Sequence, residues 1–417
     1  MRKKNVGSAF LGLLIVTSLT AMISAILAIT LRVITEKTQD RLFEQARTNS
    51  LLFFVFPVFG FALIFLLRKF IFHNKANKGI KEIYNSIENR KQTLPAYKVP
   101  SHYINGFLTV IFGGSTGIEV STVVATAAIG EAAFQRSGMA NKYKTEIVAA
   151  AVAAGITALF SSPITGVFFA VEAIARKTSK TILISALVAV VVSAFILRLA
   201  GLRPLFELHA QSWPYYAVPF ILGFSIISGF VSVCFTKICL FIKNRFAAIG
   251  NNKLRVGVGA LVVGIVIFLM PQLYGDSYHA VKALFVGASH FQFSASLIVL
   301  LLGVLIIKPI VASVTLGAGG DGGVFAPSLV IVAFLGLSFS LSLNHFFGTH
   351  LIPVNFMIIG MAAVLSGCIH APFTALALMS TFSAGTIILV PLIIGSFTAK
   401  YIAKRLYPYT VYSYKGR

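Results

Sequence analysis

Long apolar runs, separated by short polar or basic segments, dominate the chain. Residues 9–31, 51–72, 181–200, 255–272, 293–312 and 386–399 are nearly free of charge. About 20 such residues in helical form cross the roughly 30 Å hydrocarbon layer of a bilayer. Lipid offers no partner to a backbone N–H or C=O, so each run must satisfy its own polar groups, and that predicts helices. The pattern therefore predicts an all-α polytopic membrane protein. The first run, in "MRKKNVGSAFLGLLIV", starts like a secretory signal but is too long for one and is followed by further spans, so a retained helix is expected. The last apolar run ends near Ala403, ahead of the tail "KRLYPYTVYSYKGR". No soluble regulatory domain is expected after it.

Composition sharpens this picture. Of 417 residues, 57% are hydrophobic and 11% charged, against about a quarter charged in soluble domains. The net charge of +23 is scattered between the spans rather than gathered on one segment. That distribution suits anionic lipid headgroups and argues against nucleic acid. Residues 73–102 carry Lys75, Lys78, Lys81, Arg90, Lys91 and Lys98 against Glu82 and Glu88, whereas 32–48 are nearly balanced. The positive-inside rule then expects the N-terminus and the 73–102 segment on the cytoplasmic side of the cell (inner) membrane. Cys234, Cys239 and Cys368 are too few for a disulfide framework and read as buried free thiols.

The chain also repeats itself. "GITALFSSPITGVFFAV" (155–171) is similar to "VLSGCIHAPFTALALM" (364–379), with Pro163 and Thr165 matching Pro372 and Thr374 at an offset of 209. A Gly-rich break precedes each: "GGSTGIEVS" (113–121) and "GAGGDGGVFAPS" (317–328), with Gly117 and Gly323 standing 206 apart. Paired interruptions in two related halves point to a substrate site at mid-membrane. Two helix starts converging there would present N–H groups and positive dipole ends to an anion. No nucleophile–base pair or metal-ligand cluster suggests an enzyme. A cation route would want several intramembrane acids.

These motifs resemble, in order and spacing, those of the CLC chloride channels and chloride/proton antiporters, over residues 77–413. "GGDGGVFAPSL" (319–329) is the most specific match; "GIEV" (117–120), "NKGIKEI" (77–83), "PITGVFFAVEAI" (163–174) and "VYS" (411–413) accompany it. The chain is identified as a divergent, prokaryotic-type member without C-terminal CBS domains. The resemblance implies one transmembrane domain over 1–417, in two inverted-topology halves of about eighteen tilted and broken helices. The halves would span about 30–205 and 213–405, with a tail at 406–417. It further implies a homodimer in which each subunit has its own anion route and no cofactor. Val324 and Phe325, after Gly323, would hold chloride through backbone N–H groups, and Gly79 and Ile80 would start a second helix aimed at it. Tyr412 would donate its phenol. Gly117, Ile118 and Val120 would frame Glu119, the gating carboxylate.

Read on its residues alone, Glu119 is an acid at a helix start, paired with a Lys. In the motif context it becomes an anion that plugs an anion site when ionised and swings aside when protonated. Four departures from the family pattern stand out. Val120 and Ser121 replace Gly-Pro. Ala173, beside Glu172, stands where exchangers carry their internal proton-transfer glutamate. Lys78 replaces the chloride-coordinating serine, and Lys81 the motif proline. Lys78 either adds a full charge to the site or is one more solvated lysine. Because alanine relays no proton, the expected function is a voltage- or pH-gated chloride channel gated by Glu119. The alternative is a proton-coupled chloride or fluoride antiporter, with Glu172 or water replacing the lost acid. Asp321 is expected to cap a helix or bond to backbone, His370 to pack or to cap, and Trp213 to anchor at the membrane interface.

Overall fold

The computed structural model describes residues 2–73, 75, 77, 79–89, 92–383 and 385–414. Among them, sixteen α-helices follow in order: α1 (Arg2–Thr48), α2 (Leu52–Phe70), α3 (Ile80–Glu88), α4 (Lys98–Ile111), α5 (Glu119–Ser137), α6 (Lys144–Phe160), α7 (Pro163–Phe168), α8 (Lys180–Leu199), α9 (Val218–Ala247), α10 (Asn252–Leu269), α11 (Tyr278–Gly287), α12 (Ala295–Ala318), α13 (Phe325–Phe347), α14 (Pro353–Ile369), α15 (Pro372–Phe382) and α16 (Leu389–Leu406). The described residues contain no named strand, and seven helices are long and apolar enough to cross a membrane. The expected spans at 51–72, 181–200, 255–272 and 293–312 reappear as α2, α8, α10 and α12.

α1 departs from its hydropathy. The apolar run stops at 31, yet the helix continues to Thr48, 47 residues in all, or about 70 Å at 1.5 Å per residue. No Gly or Pro interrupts residues 32–48, so the balanced charges there extend the helix rather than form a loop. Arg32 is buried, with its guanidinium donating to Ser161 Oγ (3.0 Å) and Arg203 O (2.8 Å).

The chain packs as two compact units, Met1–Thr35, Ala76–Asn105 and Glu119–Leu205 in one, Glu36–Lys75, Gly106–Ile118 and Phe206–Arg417 in the other. The chain changes unit at 35/36 inside α1 and at 105/106 inside α4, and between helices at 75/76, 118/119 and 205/206. In the first unit every residue of α6 is buried, as expected of a helix apolar on all sides, and α5, α7 and α8 pack around it. In the second unit Asn355–Ile369 of α14 are buried in the same way, among α9, α13 and α16.

The runs α5–α6–α7 and α13–α14–α15 go through the same local events. α6 ends at Ser161 and α14 at His370, both in the left-handed conformation (φ 53° and 57°), and a proline opens the next helix. His370 is thus a C-cap. Ser162 caps α7, its hydroxyl accepting from Thr165 N, whereas Ala371 supplies no side-chain cap to α15. After α7 the first run differs, because Phe169–Ala175 form a π-helical turn closed by Arg176 N donating to Val171 O (2.9 Å).

Two expectations need correction. Cys239 and Cys368 are buried, but Cys234 is exposed on α9. Lys98, counted among the cytoplasmic surface charges, is 1% exposed and ion-paired to Glu82 at 2.9 Å. Trp213 ties its indole N–H to Ile387 O at 3.0 Å.

Candidate functional site

Residues 113–118 of the first Gly-rich break lie beside the second break within the second unit. Gly117 and Gly323 form an isolated antiparallel bridge. Around it the bonding is reciprocal. Ser115 N donates to Thr315 Oγ1 (3.1 Å), and Asp321 N donates to Thr109 Oγ1 (2.9 Å). Locally, Gly114 N closes on Thr109 O (2.7 Å) and Gly320 N on Thr315 O (2.9 Å). Thr109 and Thr315 stand the same distance apart in sequence as Gly117 and Gly323, so each half supplies the threonine that holds the other's break. Gly323 N also donates to Thr116 Oγ1 (3.0 Å). Gly322 (φ 143°) leaves no room for a side chain, since a Cβ would strike Thr116 Oγ1 and lie 2.8 Å from Gly117 O. Asp321 Oδ1 accepts from Gly322 N at 2.9 Å, the backbone role expected of it.

The second break leads directly into α13. Val324 is its N-cap and provides no side-chain cap, Phe325 is its first residue, and no acid occupies its first turn. The start of this 23-residue helix carries the positive end of its dipole, which favours an anion nearby. Tyr412, buried, sits in a turn where Thr410 Oγ1 accepts from Tyr412 N (3.2 Å) and Ser413 N (3.0 Å).

In the first unit Glu119 opens α5 and is 3% exposed, the one acid of that first turn. α3 starts at Ile80 with Gly79 as N-cap at φ 64°, ψ −147°, a combination only glycine adopts easily. A Cβ on Gly79 would contact Val120 Cγ1 at 3.7 Å, so the start of α3 adjoins the start of α5. Space is therefore available to a methyl group but the backbone angle is not. Gly79→Ala is expected to cost about 1–3 kcal/mol, read as a lowered thermal midpoint in detergent. Lys98 bonds to α3 and to the segment before it, reaching Glu82 Oε1 (2.9 Å) and Asn77 Oδ1 (3.1 Å). Lys78 lies outside the described residues.

Ala173 falls in the π-helical turn. Its carbonyl accepts from the Tyr84 phenol at 2.7 Å. Burial, only partly offset by Arg176, pushes the Tyr84 phenol up to about 12, so it remains a protonated donor throughout the neutral range. Two further features escape a reading of motifs: the buried Glu131–Lys144 pair and a lysine, Lys308, buried within α12. Lys308 has a visible signal, a lone charge in the apolar run "GVLIIKPIVAS".

Two paired backbone breaks in a multi-pass helical protein, one feeding an acid-free helix start, are the features expected of a protein that moves small anions. Residues 59–404 match the family described as voltage gated chloride channel, and the chain belongs to it. The resemblance drawn from the Gly-rich motifs is thus borne out, and with it chloride-type anion transport. Among relatives, the H(+)/Cl(−) exchange transporter ClcA of Yersinia pestis bv. Antiqua (strain Angola) is 27% identical over 335 residues, covering 78% of this chain and 69% of that one. ClcA of Salmonella arizonae is 26% identical over 361 residues, covering 84% and 74%. The fold is shared with a slow cyanobacterial Cl−/H+ antiporter (TM-score 0.82, 20% identity, 96% of each chain). It is also shared with a CLC-type fluoride/proton antiporter (TM-score 0.80, 22% identity, 96% of each chain).

Proposed function

We propose that the protein is a proton-coupled antiporter of chloride or a related halide such as fluoride, in which Glu119 carries the proton. The observation that carries this reading is a carboxyl group, 3% exposed, at the first residue of α5 in a chain of this family. The relatives above are named exchangers, which favours exchange over the channel that Ala173 suggests. In this reading the N–H groups of Val324 and Phe325 and the phenol of Tyr412 meet the anion, while Gly79 and Ile80 begin a further helix that does so. Gly117, Ile118 and Val120 set the backbone around Glu119. Glu172, half-buried on the π-helical turn next to Ala173, supplies the inner proton. The protein works as a homodimer in the cell membrane with a cytoplasmic N-terminus and one route per subunit.

The channel reading keeps one specific support, the alanine at 173, and a single experiment separates the two. In liposomes holding a chloride gradient, outward chloride flow is expected to draw protons inward against their own gradient. An ionophore specific for protons should collapse that pH change. Chloride flux with no proton movement would overturn exchange and return the channel.

A further inference from the structure

Lys308 lies well inside α12, flanked by "VLII" and "PIVA", and its exposure is 0%. An ammonium buried at such depth is costly unless its hydrogens are satisfied, and an ionisable group within a span marks function by default. The ammonium donates to three acceptors. Ser115 Oγ lies at 2.8 Å, Ser277 Oγ at 2.6 Å and Gly275 O at 3.2 Å. Ser115 belongs to the first break, and its own hydroxyl passes on to Leu273 O at 2.9 Å. Its N–H goes to Thr315 Oγ1, as above. Lys308 and Thr315 are two helical turns apart and so share one face of α12. That face therefore holds both the N–H and the hydroxyl of Ser115.

The other two acceptors come from the turn that precedes α11. Ser277 is held there at φ 65°, unusual for a residue with a side chain. Asp276 Oδ1 braces the turn, accepting from Gln39 Nε2 (3.0 Å) and Tyr278 N (2.9 Å). Tyr274 adds its phenol to Ile111 O, just ahead of the break. The ammonium is thus a point at which the break at 113–118, the turn at 275–277 and α12 meet.

We propose that Lys308 is a positioning residue for anion translocation. Its tripod of hydrogen bonds locks the first break against the 275–277 turn. Through the Gly117–Gly323 bridge it sets the backbone ahead of α13, where the anion is met. The inference rests on the reading of α13 as an anion site. It assigns Lys308 a geometric task, which a compact ammonium with three tetrahedral donors performs and a planar guanidinium does not.

The test is chloride binding by calorimetry on purified protein, with thermal midpoints confirming that each variant is folded. Ser277→Ala removes one acceptor without altering any charge, and is expected to weaken chloride binding about fivefold. Lys308→Met should weaken it further, and Lys308→Arg should fail to restore it. Unchanged affinity in Ser277→Ala overturns the proposal even if Lys308→Met does not fold, and full restoration by Lys308→Arg overturns it in favour of charge alone. If the unaltered protein binds chloride while the variants match it, only the role of Lys308 falls. If the unaltered protein binds no chloride, the anion-site reading falls as well.

Discussion

Replacing Glu119 with glutamine is expected to abolish proton movement while chloride continues to cross. The substitution keeps the length of the side chain and its capacity for hydrogen bonds at the opening of α5. What it removes is a proton that can be taken up and released. A group that moves a proton in a reaction commonly contributes a factor of about 10²–10⁴. Proton flux in liposomes should therefore fall by at least about two decades, to the level of empty vesicles. The same change removes the one negative charge of the first turn of α5, so chloride flux should rise or hold and lose its dependence on pH. Proton transport that survived in the glutamine variant would remove Glu119 from the mechanism, whatever happened to chloride.

A second large effect is expected at the ion pair that ties α3, α5 and α6 together. Lys144 Nζ lies 3.0 Å from Glu131 Oε1, with side chains only 3% and 1% exposed. Ser86 Oγ donates to Glu131 Oε2 (2.8 Å), Gln135 Nε2 reaches Glu131 Oε1 (3.3 Å), and Lys144 Nζ also donates to Gln92 O (2.8 Å). Lys144→Met leaves a carboxylate buried without its counter-charge, a loss of about 3–5 kcal/mol. Exchanging both partners, Lys144→Met with Glu131→Leu, removes the buried charge altogether, so most of that loss should be recovered. Thermal unfolding in detergent distinguishes the outcomes. A single variant as stable as the double one would mean that the pair contributes little.

How legible all this was depends on the distance over which each cause acts. α2, α8, α10 and α12 could be read from hydropathy because lipid compels an apolar run to bond to itself. The end of α1 could not, since residues 32–48 remain good helix formers after their apolarity ends. Lys98 and Lys144 look like ordinary surface lysines in sequence. Only their carboxylate partners, Glu82 and Glu131, show that they are interior. Thr109 and Thr315 were within reach, because extending the Gly117–Gly323 offset to its neighbours finds them. Cys234 and Cys239 sit on the same apolar helix, and which of them faces outward follows from how α9 packs.

The motif residues fare differently again. Gly79, Val324 and Phe325 stand at helix starts, as the motif resemblance implies, and Gly322 takes a positive φ within the second break. The first break closes because Lys308 and Thr315, some two hundred residues away, bond to Ser115. By itself, then, the sequence determined what local chemistry decides. Apolar length made helices, glycine and proline placed their breaks, and the ordered motifs declared the family. Tertiary structure alone decided which break pairs with which and which charges are buried, because those outcomes rest on hydrogen bonds and ion pairs between residues far apart in the chain.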